Sequence, residues 1–214
     1  MAQHRAQRVL AAAALVLAAV AGLRAAEPKP APAADRTADP PPGTLLIAAA
    51  TMQDPRFARS VVLLVKHDGK GAFGIIVNKP VAEQPIAALL AAGDDRQDPP
   101  DKIDGSVEVY YGGPVQPQLG FILHSAEYRR PETLAVDSGI AMTASRDILR
   151  DIGRHQGPQK YLFALGYAGW GAGQLDGEIA RRDWFSAAAD PELVFDADRA
   201  KLWDQALARR SQEL

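Results

Sequence analysis

The feature that most limits the possible folds is a pair of long apolar runs joined by three turn residues. Residues 60–67 and 71–79 are rich in Val, Leu and Ile, and Asp68-Gly69-Lys70 stands between them. This arrangement is typical of a β-hairpin. Both runs are continuously apolar instead of alternating, which predicts that both faces of the sheet that contains them are covered.

Strand-like and helix-like patterns follow one another along the rest of the chain. Strands are predicted at residues 44–49, 107–111, 119–124, 133–143 and 161–168, and helices at residues 84–92, 146–155, 172–182 and 197–210. Gly93 and Ser145 are the predicted caps of the first two helices. A polar segment, residues 94–104, is predicted to be a loop. Several hairpins without a regular strand–helix–strand repeat indicate a mixed α+β domain.

The first 21 residues have the three parts of a secretory signal peptide. Residues 1–8 carry Arg5 and Arg8 and no acid, residues 9–20 are uncharged and apolar, and Ala19-Val20-Ala21 is a small-residue cleavage site. The apolar run is shorter than the roughly 20 residues that a membrane span requires. We therefore expect an exported, periplasmic protein. The alternative is a membrane anchor formed by uncleaved residues 9–22.

Residues 22–42 are predicted to be a Pro/Ala-rich linker, and residues 43–214 a single domain. Between Glu27 and Pro42, six of sixteen residues are proline and none is large and apolar. Such a segment cannot bury enough apolar surface to offset its ordering entropy. The chain has no cysteine, which excludes thiolate chemistry, Cys-ligated metals and iron–sulfur clusters.

The charge of the chain argues against a nucleic-acid partner. Loss of residues 1–21 would remove Arg5 and Arg8, leaving 22 basic against 26 acidic residues and a formal charge of −4. No run of Lys or Arg exceeds two, whereas binding to a phosphate backbone relies on clustered cations. A basic patch could form only if folding brought together residues that are separate in the sequence, namely Arg56, Arg59, Lys66, Lys70 and Lys79.

Residues 165–175, Leu-Gly-Tyr-Ala-Gly-Trp-Gly-Ala-Gly-Gln-Leu, place four glycines within eight residues around Trp170. Glycines before a helix can present backbone N–H groups to an anion. The spacing Gly169-x-Gly171-x-Gly173 is nevertheless neither the dinucleotide fingerprint nor a P-loop. The favoured interpretation is a tight strand-to-helix turn with Trp170 covering the core. The alternative is an anion site, with Gly112 and Gly113 as its neighbours.

The other candidates for ligand contact are His67, His124, Asn78 and Asp54. Either histidine is able to act as a general base or a ligand, although a histidine at a strand end more often hydrogen-bonds a loop. Asp54 before Pro55 is a plausible turn former, and Asn78 either bridges two loops or contacts a ligand. The sequence contains no nucleophile elbow, paired-carboxylate motif or metal-binding His spacing. No catalytic residue, metal or cofactor is therefore predicted.

Several motifs resemble those of the YqgE/AlgH family, in the same order. They are residues 43–48, 52–57, 59–62, 71–74, 78–80, 111–115, 123–124, 143–147 and 166–175, together with Trp184 and Trp203. Two departures stand out. Ala49-Ala50-Thr51 occupies the place where the family commonly has Met-Pro-Ser, and the chain carries an export signal although members are usually cytoplasmic.

The resemblance implies a fold in which a mixed, largely antiparallel, bifurcated sheet forms a pseudo-barrel with flanking helices. It implies no molecular activity, because none is established for the family. One namesake was labelled a transcriptional regulator of alginate synthesis. The export signal and the acidic charge disfavour that role here.

Two hypotheses of different class remain. The favoured one is a non-enzymatic binding or accessory module, which either holds a small anionic ligand in a pocket formed by the Gly112-Gly113 and Gly169–Gly173 turns with Trp170, or offers a surface to a protein partner. The other is a hydrolase-type enzyme acting on a small anionic substrate.

The two hypotheses differ in the geometry that they require. An enzyme must bring His67 or His124, together with Asp54 and Asn78, around one cleft beside the glycines. Histidines scattered over the molecule would count against it.

Overall fold

The structure is a computed structural model that describes residues 40–92, 103–137 and 139–210. The predicted signal peptide, most of the predicted linker, Gly93 and most of the predicted loop 94–104 lie outside the described residues. The strands are β1 (Thr44–Ala48), β2 (Val61–Asp68), β3 (Gly71–Ile76), β4 (Pro80–Pro85), β5 (Ser106–Tyr111), β6 (Val115–Ser125), β7 (Leu134–Asp137), β8 (Ile140–Thr143), β9 (Tyr161–Gly171) and β10 (Trp184–Ala188). The helices are α1 (Ile86–Ala91), α2 (Asp147–Gly153), α3 (Gln174–Ala180), α4 (Pro191–Phe195) and α5 (Leu202–Ala208). None of these helices is long and apolar enough to cross a bilayer.

The strands form one branched sheet. Its main path runs β10-β1-β2-β3-β9-β6-β8-β7, and a branch leads from β9 through β5 to β4. Strand β9 pairs with β3 through residues 168–171 and with β5 through residues 163–165. The β5–β9 pairing is parallel, whereas the other pairings in the described residues are antiparallel. The α+β class and the largely antiparallel, bifurcated sheet are thus confirmed.

The sheet curls into a half-barrel. Gly43, just before β1, lies so close to β7 that a Cβ placed on it would be 2.8 Å from the Cβ of Asp137. A Cβ on Gly139 would similarly be 2.5 Å from the Cγ of Pro191, at the start of α4. The two ends of the main path, far apart in strand order, therefore approach each other.

Alternate residues of β1 and of the predicted hairpin enter two different cores. Leu45 and Leu63 belong to an inner core that α4 and α5 help to close, while Leu46 and Val62 belong to an outer core beneath α3. A third core lies under α1 and α2. The β2–β3 hairpin and the coverage of both of its faces are confirmed.

Several element predictions were wrong in informative ways. Strand β4 was not predicted, because it begins and ends with proline. Among the described strands it pairs with β5 alone, and proline is tolerated at such an edge. Residues 133–143 form the hairpin β7–β8 and not one strand, with Gly139 in its turn. Strand β10 and helix α4 were also missed.

The glycine string differs most from its prediction. Strand β9 continues through Gly171, so the strand-to-helix turn shrinks to residues 172–173 and α3 starts at Gln174. The last helix likewise begins at Leu202 instead of residue 197. Ser145 does accept a hydrogen bond at the start of α2, from the backbone N–H of Asp147 at 3.2 Å.

Candidate functional site

Gly166, the first glycine of the string, and the Gly112-Gly113 pair allow two backbones to touch. The N–H of Gly112 donates to the carbonyl of Leu165 at 2.8 Å. A Cβ on Gly113 would lie 2.1 Å from the carbonyl carbon of Tyr167, and one on Gly166 would lie 2.4 Å from the carbonyl oxygen of Gly113. The β5–β6 turn is thus packed directly against β9.

The later glycines lie near the surface. Gly169 pairs with Phe73 of β3. The N–H of Gly171 donates to Oε1 of Gln174 at 3.1 Å, so this amide already has a partner. Gly173 precedes α3 with φ +69°, a conformation that favours glycine. Helix α3 has only seven residues, and its N-terminus does not by itself make an anion site.

Trp170 covers the outer core, as predicted, with 7% of its surface exposed. Its indole N–H donates to Oε2 of Glu178 at 2.8 Å, and the indole N–H of Trp184 donates to the same oxygen at 2.8 Å. The ring of Phe57 lies 6.4 Å from that of Trp170 and 5.6 Å from that of Trp184. Sequence reasoning missed Glu178, whose only signal was its place as one of two carboxylates, with Asp176, on the helix after the string.

His67 lies beside the string but is enclosed. It stands opposite Ala72, which stands opposite Trp170, so the three residues form one row across β2, β3 and β9. Only 4% of the His67 side chain is exposed. Its Nδ1 lies 3.1 Å from the carbonyl oxygen of Pro40 and its Nε2 lies 3.3 Å from Oδ1 of Asp176. Both partners are acceptors, so a neutral imidazole can donate to only one of them.

His124 lies at the other end of β9. It stands opposite Tyr161, nine residues from Trp170, a separation of about 30 Å along a strand. The ring is completely buried, with Nδ1 3.0 Å from the carbonyl oxygen of Ser125 and Nε2 2.9 Å from the hydroxyl of Thr143. Burial lowers the pKa of His124 from its ordinary value.

Asn78 and Asp54 organise loops. The side chain of Asn78 accepts from the N–H of Val61 at 2.8 Å and donates to the carbonyl of Arg59 at 2.8 Å, so it bridges to the start of β2. Asp54 accepts from the backbone N–H of Arg56 at 2.9 Å and from its guanidinium at 2.7 Å. The hydrogen bonds from Arg56 lower the pKa of Asp54.

The four polar candidates do not surround one cleft. Asn78 contacts the first residue of β2, whereas His67 is near the last, a separation of about 20 Å along the strand. His124 lies on β6, in the row of Tyr161 instead of the row of Trp170 that contains His67. Within residues 40–92, 103–137 and 139–210, no group of three or more His, Asp or Glu side chains is placed to hold a metal ion.

Three of the family-like motifs meet at another place, around Lys79. The ammonium group of Lys79 donates to the carbonyl of Arg56 at 2.7 Å, and the N–H of Tyr111 donates to the carbonyl of Lys79 at 2.9 Å. We call the group formed by Asp54, Arg56, Lys79 and Tyr111 the motif surface. Of the five cations considered for a folded patch, Arg56 and Lys79 meet here.

The other three cations lie outside the motif surface. Arg59 pairs with Asp204 at 2.9 Å and lies 4.1 Å above the ring of Trp203. Lys66 pairs with Asp68 at 3.0 Å, and Lys70 is exposed in the hairpin turn.

A groove of about 430 Å³ lies between α4 and α5. It is lined by Glu192, Leu193, Asp196, Ala197, Gln205, Ala208 and Arg209. Two ion pairs involve its edge, Arg209 with Asp190 at 2.8 Å and Lys160 with Asp196. None of the predicted site residues lines this groove.

A branched, curled sheet flanked by short helices defines a class of small α+β half-barrel proteins. Residues 45–214 match the model of the AlgH-like family (DUF179), and the chain belongs to this family. A UPF0301 protein of Jannaschia sp. strain CCS1 is 48% identical over 167 residues, covering 77% of this chain and 85% of the relative. A UPF0301 protein of Methylobacterium sp. strain 4-46 is 45% identical over 171 residues, covering 77% and 81% of the two chains.

Two solved structures have a similar fold. The solution structure of the AlgH protein from Pseudomonas aeruginosa superposes with a TM-score of 0.66 at 37% identity, covering 82% of this chain and 92% of that one. The crystal structure of a Corynebacterium diphtheriae protein superposes with a TM-score of 0.63 at 23% identity, covering 84% and 92%. The second likeness concerns the fold alone.

Proposed function

We propose that this protein is an exported, non-enzymatic binding or accessory module that takes a small anionic ligand. The observation that carries the proposal is the motif surface, where three sequence-distant segments bring two cations together with a single carboxylate. A binding function requires only such a fixed set of contacts. It does not require a nucleophile and a base in line.

The placement of the histidines supports binding over hydrolysis. His67 and His124 are enclosed by separate partners and lie near different ends of the sheet. A general base must reach the proton that it removes, directly or through one water. Neither histidine has Asp54 or Asn78 as a hydrogen-bond partner, so the hydrolase geometry is not assembled from these four residues.

The proposed export rests on the sequence of residues 1–21. An exported protein does not meet DNA, which disfavours transcriptional regulation. The test is to determine the N-terminus of the protein recovered from a periplasmic extract. A new N-terminus near residue 22 is expected, and a protein that retains Met1 in the cytosolic fraction would overturn this part of the proposal.

The binding role is tested by mass spectrometry of small molecules that co-purify with the protein. A true ligand, added back to protein freed of it, raises the melting temperature in a concentration-dependent way. Turnover of a panel of small esters and phosphoesters, abolished by His67→Ala or His124→Ala in folded protein, would instead establish the enzyme.

A further inference from the structure

Lys79 is a half-buried cation without a carboxylate partner in the part of the chain that the structure describes. Its ammonium group makes one hydrogen bond, to the carbonyl of Arg56, and has two further N–H donors. Burial lowers the pKa of Lys79, and the charge of Asp54 acts in the opposite direction. A half-buried charge is unfavourable unless it is paired, so Lys79 is a place where an anion would add stability.

Arg56 supplies a second set of donors beside Lys79. Its Nε and Nη2 bind the carboxylate of Asp54, at 3.0 Å and 2.7 Å for the shorter contacts, which holds the guanidinium in one orientation. Nη1 makes no hydrogen bond within the described residues, and 59% of the Arg56 side chain is exposed. Two cations and one carboxylate leave the motif surface with one positive charge in a domain of net negative charge.

Tyr111 completes the arrangement. Its backbone N–H fixes the end of β5 to Lys79, and its hydroxyl has no hydrogen-bond partner among residues 40–92, 103–137 and 139–210. Burial raises the pKa of the Tyr111 phenol, and the charge of Arg56 acts in the opposite direction. The hydroxyl is therefore a neutral donor within reach of the charge of Arg56.

We infer that the motif surface is an oxyanion site, at which Lys79, Arg56 and Tyr111 bind the carboxylate or phosphate group of a small molecule. This inference rests on the proposed function and names its site. The unused groups of the three side chains are all donors, which is the chemistry that several acceptor oxygens on one atom require. Asp54 orients Arg56, and Asn78 fixes the adjoining loop through Arg59 and Val61. Both are positioning residues.

The experiment titrates the purified protein separately with inorganic phosphate and with succinate, at constant ionic strength, and follows backbone amide signals by NMR. Signals of residues 56, 79 and 111 are expected to shift with at least one of the two anions. The anion that shifts them more strongly identifies the group. Lys79→Met, which keeps the apolar stem, is expected to weaken binding about tenfold, since losing a charged hydrogen bond commonly has an effect of this size.

The matched control is Lys70→Met, which removes the same charge from an exposed turn and is expected to leave the affinity unchanged. Arg56→Met provides a second variant if Lys79→Met fails to fold. Unchanged affinity in both folded variants, or the absence of any shift at residues 56, 79 and 111, overturns the oxyanion site. A co-purifying ligand that binds elsewhere would overturn this site while leaving the proposed function intact. The absence of any ligand or anion binding would overturn both.

Discussion

At the scale of single residues, the hydrogen bonds around His124 determine which of its ring nitrogens carries the proton. Its neighbours form a chain of hydrogen bonds in which the N–H of Arg130 donates to Thr133, and Thr133 and Thr143 share a bond of 2.8 Å. Because the carbonyl of Ser125 can only accept, Nδ1 must carry the proton. Nε2 then accepts from Thr143, so a neutral ring satisfies every partner.

This arrangement makes stability depend on pH. The folded-state pKa of His124 is lowered below its ordinary value of 6.5, so the unfolded chain binds the proton first as the pH falls. Stability from the neutral ring is complete above about pH 6.5 and is lost as the pH falls through the folded-state pKa, by at most about 1.4 kcal/mol per pH unit. Urea unfolding of His124→Gln between pH 7.5 and 5 should show a weaker pH dependence. His155→Asn is the control, because the His155 side chain is 80% exposed.

Glu178 is the second residue whose removal should be costly. Two buried indole N–H groups share its Oε2. Glu178→Ala leaves both without a partner, and each buried, unsatisfied donor costs about 1–3 kcal/mol. Chemical denaturation is expected to show this loss, and tryptophan emission should shift to the red as water reaches the indoles. Glu132→Ala, at an exposed position, should change neither quantity; a stable Glu178→Ala variant with unshifted emission would contradict the role of Glu178.

At the scale of elements, strand β9 depends on its glycines. Gly166 combines φ +73° with a Cβ position only 2.4 Å from the backbone of Gly113. Gly166→Ala is therefore expected to separate β9 from the β5–β6 turn and to lower the free energy of unfolding by more than about 3 kcal/mol, more than left-handed strain alone explains. Gly69→Ala meets no atom within 4 Å and should be nearly neutral. Equal stabilities of the two variants in urea would refute this explanation.

The elements also show why some of the fold was predictable. The β2–β3 hairpin is local, so its apolar runs and turn residues were sufficient. Strand β4 was missed because its proline-bounded segment becomes a strand only by pairing with β5, which is distant in sequence. The same limit applied to the glycine string: its apolar residues predicted a covered core, but the backbone contact with Gly113 is made by tertiary structure.

The candidate site was predictable to a similar extent. Residue types and motifs drew attention to Asp54, Asn78 and Trp170. Sequence alone could name Arg56 and Lys79 only as members of a larger set of cations. The loop that places the carbonyl of Arg56 against the ammonium group of Lys79 joins residues 23 positions apart, and no periodic pattern encodes such a contact.

At the scale of the whole molecule, the inner and outer cores share strands. Leu45 and Leu63 face one core while Leu46 and Val62 face the other, so neither core can form without the strands that build both. Helix α5 connects the end of the chain to its first strand, because the indole N–H of Trp203 donates to the carbonyl of Ala48 at 2.8 Å. A substitution that destabilises the inner core should therefore also destabilise the outer core.

This coupling is testable through Trp203, which is 6% exposed in the inner core. Trp203→Ala is expected to lower the free energy of unfolding by about 3–5 kcal/mol. Fluorescence of the remaining Trp170 and Trp184, both in the outer core, should then change at the same urea concentration as the far-UV circular dichroism, as in a two-state transition. Gln205→Ala, on the exposed side of α5, should shift stability by less than about 0.5 kcal/mol. If the fluorescence of Trp203→Ala keeps the wild-type midpoint while the circular dichroism changes earlier, the two cores unfold independently, and the sheet does not couple them.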